Sequence, residues 1–239
     1  MTKGRRAFPL GMRSRCLRAP HSLFNLRVTM RSFAKLALGI LLGTVLATST
    51  RPAKAAGLSR EEKQTLARGE TVIREHTIER GDHRWVGGVT YTIVDAASAE
   101  VGAVLENAEK FGRVLPRTKT AKLVATRPNG DQLVELVHGN AIVETQYTIL
   151  VRRSQNELRF WMDPTRPHGI DDAWGFFRLE PFISSSGGER VLLTYGILVD
   201  VGPGIVRDLF EERVRTAMLS VPQLVRRQVA VSRRAAGPS

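Results

Sequence analysis

The sequence predicts an α+β fold: a curved antiparallel sheet of about six to seven strands wrapped around a long C-terminal helix, with an inserted helix pair. Three observations predict it. From residue 121 to 199 apolar residues recur with period two, in runs separated by short turn sequences. From Ile205 onward they recur at helical spacing. Between residues 98 and 115 a helical stretch interrupts the strands. A half-apolar sheet and an amphipathic helix bury their faces together when one packs on the other.

Taken in order, Ser59-Arg-Glu-Glu62 reads as a helix start. The Ser59 hydroxyl can accept from the first-turn amides, and Glu61 and Glu62 suit the positive end of the dipole. That helix should end near Gly69, with a strand over 72–79 and a turn at Gly81-Asp82. Residues 56–80 read as an addition before the core pattern. Residues 85–94 form an aromatic strand with Trp85, Val89, Tyr91 and Ile93 on one face and Thr90 and Thr92 on the other. Gly87 and Gly88 predict a bulge or a close backbone approach. Ser98 is the expected cap of a helix whose apolar face is Val101, Val104, Leu105 and Ala108, with a second helical turn after Phe111-Gly112.

Strands are then expected over 121–127, 132–138, 142–151, 157–162, 173–181 and 190–199. Pro128-Asn-Gly-Asp131, Ser154-Gln-Asn156 and Ser184-Ser-Ser-Gly-Gly188 are turn sequences, and links this short imply an antiparallel meander. In the last helix Leu209, Val214, Met218 and Val221 should face the sheet, and Pro222 should kink or divide it. Residues 233–239 read as a frayed, disordered tail.

The first 55 residues differ from the rest. They hold eleven Lys/Arg and no acidic residue, around a twelve-residue apolar run, Leu36 to Ala47. A membrane-spanning helix needs about 20 apolar residues. Ala53-Lys54-Ala55 has small residues where a signal peptidase reads them. A signal peptide over 1–55 is therefore expected, with Met30 as an alternative start and cleavage before Ala56. The mature protein would be periplasmic or secreted. From Ala56 onward the chain has 25 bases and 23 acids, so the net charge of +13 is mostly the leader's and is no sign of nucleic-acid binding. The lone Cys16 lies in the leader, so the mature chain has no disulfide, thiolate metal site or cysteine nucleophile.

Several short patterns resemble the START-like superfamily, also called SRPBCC or helix-grip proteins, nearest the coenzyme Q-binding and polyketide cyclase group. They are strand 85–94 followed by Ser98-Ala-Glu-Val101, then Phe111-Gly-Arg-Val-Leu-Pro-Arg117, Phe160-Trp-Met-Asp163, Trp174-Gly-Phe-Phe-Arg-Leu-Glu-Pro181 and Leu193-Thr-Tyr-Gly-Ile197. The resemblance places a helix-grip domain over 81–232. It implies a cavity between sheet and long helix that holds a hydrophobic small molecule, such as a lipid, an isoprenoid or quinone, or a polyketide-like compound. It also implies a monomer that touches membranes transiently and uses no cofactor. Arg117 is implied to sit near the cavity mouth.

Candidate ligand contacts are the strand aromatics Trp85, Tyr91, Tyr147, Phe160, Trp174, Phe176 and Tyr195, with Phe111, Leu115 and Arg117 from the helix pair. Period two lets only about half of the strand aromatics face inward. Buried Tyr and Trp need partners for their polar tips, which favours a cavity over plain packing. Glu144 shares a strand face with Gln146 and Thr148: on a solvent face it does nothing, and on the cavity face it anchors ligand or acts as a base, with Arg178 as partner. If the protein is instead a cyclase or dehydratase, Glu144 and His138 are the candidate acid/base groups. Asp163, His168, Asp171 and Asp172 lie on one link, where turn caps are favoured over a metal site. A third alternative is a cavity-poor interaction module.

Overall fold

The structure, a computed structural model, describes residues 57–139, 144–182 and 188–236, without the side chains of residues 109, 205–210 and 236. The expected signal peptide, its cleavage site and the Leu209 side chain therefore lie outside the described residues. No helix among the described residues is long and apolar enough to cross a membrane.

Eight antiparallel strands form one sheet in the order β1-β2-β8-β7-β6-β5-β4-β3. Strands β3 (Thr118–Thr126), β4 (Gln132–Gly139), β5 (Glu144–Arg153), β6 (Glu157–Met162), β7 (Asp172–Pro181) and β8 (Val191–Asp200) follow the expected meander. Strand β8 then pairs with β2 (His83–Val94). The segment before the core pattern has a place in it: β1 (Val72–Arg80) pairs along its length with β2 as an edge strand. Before it, α1 (Arg60–Ala67) starts with the Ser59–Glu62 capping box, and its Leu66 packs with Val72 and Ile93 on the outer face of the sheet.

Close backbone contact explains the glycine pair. Gly87 and Gly88 take φ of 154° and 152°, and a Cβ on either would collide with a carbonyl of a neighbouring strand, Ile197 on one side and Arg74 on the other. Only glycine tolerates both demands.

The inner face carries the helices. Helix α2 (Ser98–Glu106) buries Val101, Val104 and Leu105. Its cap differs from expectation: Ala97 is the N-cap residue, and the Glu100 carboxylate accepts its amide at 2.9 Å, which leaves Ser98 inside the first turn. After a 3-10 turn comes α3 (Phe111–Val114). The long C-terminal helix is divided into α4 (Ile205–Leu219) and α5 (Val221–Ala236). Pro222 lacks the amide that would continue the ladder to Met218 O, and just before it the Ser220 hydroxyl donates to Ala217 O at 2.6 Å. Helix α5 runs on through Arg233 and Arg234, residues expected in the tail, because Arg233 pairs with Glu100 at 3.0 Å and donates to Asp95 O.

Leu219, Val221, Val225 and Val229 close the core against Val94, Leu193 and Tyr195. Thr90, wholly buried on β2, donates to Leu219 O at 3.0 Å and ties the helix junction to the sheet. Among the described residues both clusters of buried apolar side chains are built from positions 66–229, so the chain from Ala56 carries its own core.

Candidate functional site

Between the inner faces of β4–β8 and the helices α3, α4 and α5 lies a cavity of about 420 Å³. Period two builds its floor. On β5 the inward residues are Thr145, Tyr147, Ile149 and Val151, and on β8 they are Tyr195, Ile197 and Val199. Val214, Ala217, Met218 and Val221 roof it, and Phe111, Val114 and Leu115 close one flank. Three rings pack together inside: Phe177 and Tyr195 have centroids 4.6 Å apart, and Phe160 lies 6.0 Å from Phe177. Gly175 leaves the room for this, since a Cβ there would stand 2.6 Å from Phe160 Cζ.

The lining has a polar pole at His138 and Tyr147. His138 Nδ1 lies 3.3 Å from Pro116 O and 3.1 Å from Thr118 Oγ1, and Nε2 lies 3.0 Å from the Tyr147 hydroxyl. A carbonyl only accepts, so Nδ1 carries the proton and Nε2 accepts from the phenol. Burial lowers the His138 pKa below its ordinary 6.5, which keeps the ring neutral at pH 7. Burial likewise pushes both Tyr147 and Tyr195 above the usual phenol range, Tyr195 further because Tyr147 is near. The pole can thus exchange neutral hydrogen bonds with a ligand.

Arg117 and Glu144, next in sequence to Pro116 and Thr145, bound the same end and are exposed, so the cavity meets solvent there. Arg117 is the one non-glycine residue at positive φ among the described residues, at 56°. That conformation costs about 1–2 kcal/mol. It turns the chain from α3 into β3, and Arg117 O accepts from Gly139 N at 3.0 Å.

Of the expected contacts, Phe111, Leu115, Arg117, Glu144, Tyr147, Phe160 and Tyr195 line the cavity, as does His138. Five do not. Trp85 points to the outer face, where its indole donates to Asp172 at 2.9 Å. Tyr91 packs with the α1 cluster beneath Arg74. Trp174, Phe176 and Arg178 also point outward: Trp174 is 44% exposed, and Arg178 lies over Phe176 and pairs with Glu157 at 3.0 Å. Parity put Phe177 opposite Trp174 and Phe176, and it is Phe177 that faces in. The alternation Ala173-Gly175-Phe177 is the signal for this, because small residues make room for rings on adjacent strands.

Glu144 sits at the rim, paired with Lys119 at 2.6 Å and half exposed. It is far from being a desolvated base, and Arg178 is not its partner. On the link before β7, Asp163 caps Thr165 and the His168 ring meets Ile170 O at 2.7 Å, as turn chemistry predicts. Asp171 instead joins His83 and Asp200, with ligand atoms all within 4.8 Å of one another. Asp200 is wholly buried, but its oxygens already accept from Arg84 N at 3.2 Å and Gly202 N at 3.0 Å and lie 3.0 Å from His83 Nδ1. The group pins the turn that leads into α4.

No family model matches the chain, and no curated protein does. Solved structures do. The STAR-related lipid transfer protein of Xanthomonas axonopodis superposes with a TM-score of 0.51 at 17% identity, over 67% of this chain and 93% of that one. The Zhui aromatase/cyclase of Streptomyces sp. R1128 gives 0.47 at 16% identity, over 71% and 100%. The chain has the START-like helix-grip fold expected from its sequence.

Proposed function

We propose that the chain binds one hydrophobic small molecule in this cavity and carries it without transforming it. The observation that supports the reading is the lining: aliphatic and aromatic walls with a neutral polar pole at His138 and Tyr147. A volume of about 420 Å³ is in the range of ordinary small-molecule sites. Apolar burial, on the order of 25 cal/mol per Å², would supply most of the affinity, and the pole would orient one polar end of the ligand. A lipid, an isoprenoid or quinone, or a polyketide-like compound each has that shape. The name of the Xanthomonas neighbour, a lipid transfer protein, is in keeping with a carrier. We further propose that the protein is exported, with a mature start at Ala56 that N-terminal sequencing from the native host would read.

A second reading is favoured by one observation. A neutral histidine that accepts from a phenol is a pair able to pass a proton, which a cyclase or dehydratase requires. In that case His138 and Tyr147 carry the chemistry, and Glu144 does not. Native mass spectrometry of gently purified protein separates the readings. An intact hydrophobic ligand released unchanged supports the carrier, and a substrate converted to product by the purified chain overturns it.

A further inference from the structure

Residues 110–127 hold six bases, Lys110, Arg113, Arg117, Lys119, Lys122 and Arg127, and no acidic residue. The chain from Ala56 onward is close to balance, so this is a local concentration of charge. The fold gathers it on one edge, made by α3, the turn at Arg117 and β3, the outermost strand of the sheet. Elsewhere several arginines are held by acids, as in Arg74–Glu62, Arg152–Asp131 and Arg178–Glu157. Here Lys119 has Glu144 and Arg127 reaches Asp163 only at 4.0 Å. Among the described residues no ion pair engages Lys110, Arg113, Arg117 or Lys122. The same strand exposes Leu123 and Val124, which are 44% and 39% accessible.

We propose that this edge docks on an anionic lipid surface. Unpaired cations are attracted to acidic headgroups, and exposed aliphatic side chains gain by entering the headgroup boundary. A single-stranded nucleic acid would instead need exposed aromatic platforms, and the only aromatic of the segment, Phe111, is 5% exposed. The edge is continuous with the cavity end, because Leu115 and Arg117 belong to both. Docking therefore brings the cavity mouth against the bilayer, so an apolar molecule passes between them without crossing water. The docking rests on charge and exposure, and only the transfer step rests on the cavity being a ligand site.

The test is flotation of the chain from Ala56 with phosphatidylglycerol vesicles and with phosphatidylcholine vesicles. Binding to the anionic vesicles alone is expected. The triple variant Lys110→Gln, Arg113→Gln, Lys122→Gln should lose affinity on the order of a hundredfold, since each base near such a surface is worth about a factor of five. A control triple on other surfaces, Lys63→Gln, Arg80→Gln, Arg227→Gln, should change little. Equal binding to both vesicle types, equal loss in both triples, or tighter binding to an oligothymidine than to the anionic vesicles overturns the proposal. Fluorescence of N-phenyl-1-naphthylamine without vesicles reports the cavity separately. Probe binding with no flotation refutes docking and leaves the cavity reading standing. Flotation without probe binding does the reverse. Both triples should bind the probe like the parent, which also shows that they fold.

Discussion

The Tyr147 hydroxyl lies 3.0 Å from His138 Nε2, and the two rings stack with centroids 5.3 Å apart at an interplanar angle of 7°. They come from adjacent strands and are diagonal neighbours, two residues apart in register, since Tyr147 pairs with Leu136 and His138 with Thr145. The bond satisfies two polar groups that the apolar wall would otherwise leave unpaired.

Tyr147→Phe should therefore destabilise the protein by about 1–2 kcal/mol, because it strands the His138 acceptor while it keeps the ring. Urea unfolding measures this. An unchanged midpoint would mean that the hydrogen bond does not form in solution.

The same pair predicts a pH dependence. His138 has a folded pKa below its unfolded value of about 6.5. Between the two values the unfolded chain binds the proton and the folded one does not, so stability rises with pH there. This stability is fully present above about pH 6.5 and is lost as pH falls through the folded pKa. His138→Gln should flatten that part of the curve. Thermal melts of both proteins across the window would test it, and parallel curves would assign the pH dependence to other groups.

Which elements form was legible in the sequence, and which face of each strand meets the cavity was not. Period two located β3 to β8 to within a few residues, because turn chemistry brackets each run. It did not reveal orientation, because the outer face of this sheet is aromatic too. Arg152 covers Trp161, Arg178 covers Phe176, and α1 covers the region of Ile93 and Tyr91. Hydrophobicity alone thus failed to tell Trp174 and Phe176 from Phe177. On β2 the inner residues include the threonines Thr90 and Thr92 beside Val94, and at Thr90 the helix junction is met by a hydroxyl rather than by an apolar side chain. The place of 72–80 in the sheet was hidden for a related reason. As an edge strand it is mostly exposed and charged, so it carries little of the core pattern.

The division of the C-terminal helix gives the two halves different roles. Val225 on α5 is wholly buried against the sheet, whereas Met218 on α4 is partly buried and faces the cavity. Val225→Asp should cost about 4 kcal/mol or more, as an unpartnered carboxylate in a packed core. Met218→Asp should cost less and instead abolish binding of an apolar probe. Equal losses of melting temperature would show that α4 packs as tightly as α5.

Phe111 joins the two functions of the helix pair. It is 5% exposed, lies in the main core cluster and also lines the cavity beside Leu115. A gating side chain would be held loosely, with few neighbours to lose. This ring is packed in the same cluster as Val114, Val134 and Leu136, so its place is that of a plug. Phe111→Ala should then destabilise by about 3–5 kcal/mol, the range for removing a buried ring. Denaturant unfolding gives that number, and stopped-flow release of a bound fluorescent probe gives the exchange rate. A small change in stability with much faster release would make Phe111 a gate and would move the cavity mouth onto α3 itself.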